Sequence, residues 1–67
     1  MARLRTRIFE LNRFYNMMDL ADMLGVSLSY LYRIREGTRK IGQIFIIGAL
    51  RAFPNRKFED LFYIEQD

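Results

Sequence analysis

Sixty-seven residues suffice for one domain, and the absence of cysteine and histidine excludes disulfides and the usual zinc sites. No cofactor is expected, and stability must come from helix packing, a partner subunit or a ligand. The net charge of +3 hides an asymmetry: residues 1–57 hold eleven bases against four acids, a body of +7, whereas residues 58–67 hold four acids and no base, and a compact basic body points to a polyanion partner.

Gly25, Gly37, Gly42 and Pro54 divide the chain into segments of helical length. The spacing predicts a first helix over residues 4–15, with Leu4, Ile8, Leu11 and Tyr15 on one face and Arg3, Arg7 and Arg13 off it. A second helix is predicted over 17–24. Asn16 is its N-cap and Asp19 stands at the third helical position, like a capping box with Asp in place of Glu. Tyr15 and Leu20 are placed to form a hydrophobic staple, Leu20, Ala21 and Leu24 form the buried face, and Gly25 ends the helix. Ser27 caps a third helix, 28–36, with Leu31 and Ile34 facing inward and Gly37 ending it. After the basic loop 38–42, a fourth helix over 43–53 is expected to bury Ile46, Ala49, Leu50 and Phe53. Beyond Pro54, a short fifth helix over 57–63 is expected to close the core with Phe58, Leu61 and Phe62, leaving a mobile acidic end. Strand signals are poor.

The informative stretch is 20–37; the helix-turn-helix spans about 16–36, two helices across a turn of about three residues. Ala21 is small where the second helix would cross the first, Gly25 permits the sharp turn, and Val26 plugs it from below. Anchoring by Leu31 and Ile34 leaves Leu28, Ser29, Tyr32 and Arg33 along an outward ridge that fits a major groove.

Leu20-Ala21, Leu24-Gly25-Val26-Ser27, Leu31, Ile34 and Glu36-Gly37, followed by a basic loop, resemble the lambda-repressor-like, Cro-type (Xre-type) helix-turn-helix regulators. Ala52-Phe53-Pro54 and Phe58-Glu59-Asp60-Leu61-Phe62 resemble that family's last helix-loop-helix, so the resemblance spans about 4–63. It implies an all-α, compact five-helix domain, cytoplasmic operator binding and a homodimer. Two departures stand out. The family commonly has Gln at the start of the second helix, contacting the DNA backbone; here the phosphate-facing place is held by Met17, which offers neither hydrogen bond nor charge. The loop 54–57 is about one residue longer than usual, where family dimers often meet.

The ridge residues divide by chemistry. Arg33 can fork onto a guanine edge, Ser29 can hydrogen-bond any base, and Leu28 can touch a thymine methyl. Tyr30 is assigned mainly to packing and Tyr32 to the DNA side. Ser27, Arg39, Lys40 and Gln43, with backbone N–H groups at the start of the fourth helix, are expected to hold phosphate. Arg3, Arg5 and Arg7 are equally an arm on the DNA backbone or a frayed basic start.

The expected function is sequence-specific duplex binding by a small transcriptional regulator, a repressor, with no separate small-molecule effector domain. Three alternatives are a phage or mobile-element accessory DNA-binding protein, an antitoxin-like protein-interaction module, and a basic amphipathic membrane-surface peptide. The internal caps argue against the last. No apolar run approaches the roughly 20 residues of a bilayer span, and no signal-peptide hydrophobic stretch follows the basic start, so a cytoplasmic, non-membrane protein is expected. No enzyme is expected: there is no Gly-rich phosphate loop, no metal cluster, and capping and solvation account for Asp19 and Asp22.

Overall fold

The computed structural model describes residues 2–11 and 16–66, in the order β1 (Ala2–Thr6), α1 (Ile8–Leu11), α2 (Met17–Leu24), α3 (Leu28–Glu36), α4 (Gln43–Ala52), α5 (Phe58–Leu61) and β2 (Phe62–Gln66). β1 and β2 pair antiparallel, with Arg3 opposite Glu65, Leu4 opposite Ile64 and Thr6 opposite Phe62. The fold is therefore mixed α/β, and the all-α expectation is corrected. The helix expected over 4–15 is a strand to Thr6 and helical from Ile8; Arg13, Tyr15 and the predicted staple lie outside the described residues. The helix expected over 57–63 ends at Leu61, and residues 62–66 of the end expected to be mobile form a strand; Asp67 lies outside the described residues.

Long-range hydrogen bonding accounts for both corrections. The Leu61 carbonyl accepts the Arg7 N–H at 2.8 Å and the Thr6 hydroxyl at 2.9 Å, and Thr6 Oγ1 in turn accepts the Ile8 N–H at 3.2 Å. One carbonyl thus ties the exit of β1 to the end of α5 and sets the two strands side by side, where each bonds the inward-facing backbone groups of the other. The apolar spacing of Leu4 and Ile8 marks inward residues correctly, since Ile8 is fully buried and Leu4 packs on the core. Its conformation is decided by the partner strand. Leu11, third in that stripe, is 37% exposed rather than buried.

The core gathers Ile8, Leu20, Ala21, Leu24, Leu31, Ile34, Phe45, Ala49, Leu61 and Phe62, the larger side chains each worth about 1.5–3 kcal/mol of burial. Phe45 lies at its centre, 6.4 Å from the Tyr30 ring and edge-on to Phe62 at 6.1 Å. Phe58 stacks on Phe62 at 4.9 Å but remains substantially exposed, so it covers the core rather than filling it. Asp60 starts α5 by accepting the Lys57 N–H at 2.9 Å.

α4 is rotated from its expected orientation. Phe45, Gly48 and Ala49 are buried, Ile46 and Phe53 are half-buried, and Leu50 is exposed rather than inward. Gly48 explains the rotation. A Cβ there would overlap the Leu24 carbonyl oxygen and lie 3.0 Å from its carbonyl carbon. The helix presents its smallest residue to α2 so that the two backbones can approach.

Candidate nucleic-acid interface

Local chemistry builds the two-helix unit. Asn16 Oδ1 accepts the Asp19 N–H at 2.7 Å, which starts α2. Gly25 takes the left-handed conformation, φ 73°, and the Val26 N–H donates to the Ala21 carbonyl at 3.1 Å, closing α2. Val26 is half-buried beneath the turn and packs on the core. Ser27 Oγ then accepts the Tyr30 N–H at 3.1 Å and starts α3. Both helices have the bounds predicted for them.

α3 is anchored by Leu31 and Ile34, both buried. Ser29, Tyr32 and Arg33 are exposed on its opposite side, as one ridge. Leu28 departs from the expectation of an exposed tip: it is half-buried against the core, because the first turn of α3 lies over the body of the domain. Tyr30 is half-buried beside Phe45, in keeping with a packing role.

Two arginines stack on these tyrosines. The Arg35 guanidinium lies 4.8 Å from the Tyr32 ring centroid, and that of Arg39 lies 4.8 Å from Tyr30. The motif reading gave Arg35 no role; its i, i+3 spacing from Tyr32 was the signal present in the sequence.

Gly37, φ 82°, ends α3, and the Arg33 carbonyl accepts the Thr38 and Arg39 amides at 3.0 and 3.3 Å. The chain emerges with Arg39, Lys40 and Gln43 exposed. The N-cap of α4 is Gly42, which has no side chain to engage the first amides. The first bond within that helix is from the Ile46 N–H to the Gly42 carbonyl at 3.1 Å, so the amides of Gln43, Ile44 and Phe45 have no acceptor inside the helix. Ser27 is exposed at the other end of α3, whereas Met17 is half-buried with its side chain on the core.

Of the three N-terminal arginines, Arg5 pairs with Glu65 at 3.7 Å and Arg7 lies 4.5 Å over the Tyr63 ring. All three sit on or beside an ordered strand, not a frayed start. Among the described residues, no His, Cys, Asp and Glu side chains converge in a group of three or more that could hold a metal ion. No helix among them is long and apolar enough to cross a membrane.

The chain is 40% identical over 57 residues to a protein of Bacillus subtilis (strain 168) named as an uncharacterized HTH-type transcriptional regulator, YvzC; the alignment covers 85% of this chain and 73% of that protein. No protein-family model matches the chain, and no solved structure does.

Proposed function

This chain belongs to the HTH-type transcriptional regulators, and we propose that it binds duplex DNA sequence-specifically, as a homodimer of the Xre type that represses transcription by covering its operator in the cytoplasm. The observation that carries this reading is the exposed ridge of Ser29, Tyr32 and Arg33 on a helix whose other side is fixed to the core. A helix about 10–12 Å across fits a major groove about 12 Å wide. In that pose Arg33 forks onto a guanine edge, Ser29 hydrogen-bonds a neighbouring base, and Tyr32 packs beside them. Arg39, Lys40, Gln43, the open amides of α4 and the Ser27 hydroxyl hold phosphates on either side. Leu28 and Met17 act by packing, since both side chains rest on the core. No catalytic step and no cofactor enter this reading.

Ile44, Ile47 and Leu50 lie exposed along one side of α4. This apolar stripe supports the homodimer, which one small domain needs in order to read enough base pairs. Selection of bound sequences from a random duplex pool tests the proposal. The expected result is a two-fold-related consensus with half-sites about one helical turn apart. Roughly five phosphate contacts per subunit correspond to a log–log salt slope of about −4 to −5 per subunit. Recovery of no consensus by the folded protein would refute sequence-specific binding.

A further inference from the structure

Beyond the end of α3 a groove of about 540 Å³ opens between β1 and the loop that leads to α4. We infer that the DNA backbone continues into this groove, so that β1 supplies a second phosphate grip; the inference rests on the duplex-binding reading above.

Five bases line the groove, Arg3, Arg5, Arg35, Arg39 and Lys40, and no acid does among the described residues. The side chains of β1 converge on the end of α3: a Cβ placed on Gly37 would lie 3.9 Å from Arg5 Nη1 and 4.0 Å from Arg3 Nη1. Like charges gathered in this way repel one another, and among the described residues one ion pair offsets them. Glu65 pairs with Arg5 across the ribbon. The stacking of Arg35 and Arg39 on tyrosines orients their guanidinium groups without neutralising them. Cations beside a helix C-terminus do offset its dipole. Here, however, the Arg33 and Ile34 carbonyls already accept amides from Gly37, Thr38 and Arg39, and a helix end calls for about half a positive charge. An anion is the missing partner.

The groove's place identifies that anion. Arg39 and Lys40 belong both to the groove and to the phosphate-holding loop, so a strand gripped by the loop passes directly to Arg35, Arg5 and Arg3. β1 thereby contributes charge rather than base recognition, and its contacts are indifferent to sequence.

Fluorescence anisotropy of the full chain tests this with two labelled duplexes, the selected site and a scrambled sequence, each titrated over a series of salt concentrations. Arg3→Ala and Arg35→Ala are each expected to reduce the salt slope by about 0.9, equally on both duplexes. In the double variant, a fourfold rise in salt then costs about twelvefold less affinity than in the unaltered chain. Arg3→Lys, which keeps the charge, retains the slope. Thermal melts establish that each variant is folded. Unaltered slopes in folded Arg3→Ala and double variants, with a reduced slope in Lys40→Ala, would overturn the groove contact and leave duplex binding standing. Absence of salt-dependent binding by the unaltered chain would overturn both.

Discussion

Replacing Gly48 with alanine opposes two effects at one backbone position. Alanine is the better helix former, favoured over glycine by about 1 kcal/mol in a helix interior. Against this, the new Cβ would overlap the Leu24 carbonyl oxygen, lying 3.0 Å from the carbonyl carbon and 3.3 Å from the Cα. These are backbone atoms, so no rotamer change relieves the contact, and α2 and α4 must move apart. Overpacking of this kind costs about 1–3 kcal/mol and sometimes more, and a backbone obstacle places it at the upper end. The expected net loss is about 2 kcal/mol after the propensity gain. In a domain of this size that lowers Tm by about 8–16 °C. Far-UV circular dichroism melts measure it directly. A second consequence is functional: α2 leads into the Gly25 turn, so its displacement tilts α3 and weakens duplex binding although Arg33 is untouched. A Gly48→Ala protein with an equal or higher Tm would refute the close crossing and with it the reason given for the rotation of α4.

Ser27→Ala should lose about 1 kcal/mol in a urea melt, because the Tyr30 N–H loses its cap acceptor. Arg5→Ala should lose under about 1 kcal/mol, since its pair with Glu65 is long, at 3.7 Å, and both side chains remain solvated. In binding assays Arg33→Ala should flatten sequence preference, whereas Lys40→Ala should weaken all duplexes alike. If α4 supplies the homodimer face, Ile47→Glu should shift the sedimenting species to monomer while leaving the Tm of the folded subunit within a few degrees.

The helix-turn-helix was legible because its determinants lie within a few residues of one another. The Asn16 and Ser27 caps each act on an amide three residues on, and Gly25 and Gly37 supply the left-handed turns that end α2 and α3. Those contacts are local, so the bounds of both helices and the exposure of Ser29, Tyr32 and Arg33 followed from the sequence, whereas the burial of Leu28 did not. The terminal segments did not. Residues 2–6 contain a single large apolar residue, Leu4, so no strand alternation is visible, and Leu4 and Ile8 fit helical spacing as well. The aromatic and β-branched run Phe62-Tyr63-Ile64 was a strand signal of its own, outweighed by its continuity with the helical turn before it. What turned both ends into strands was pairing across the chain, fastened by Thr6 and Leu61, 55 residues apart. The facing of α4 was likewise settled by Leu24 of another helix, and the basic groove by the arrival of Arg3 and Arg5 at Gly37. Neighbours along the chain determined where helices start and stop; contacts between segments far apart decided which ends pair, which side of a helix is buried and which charges meet.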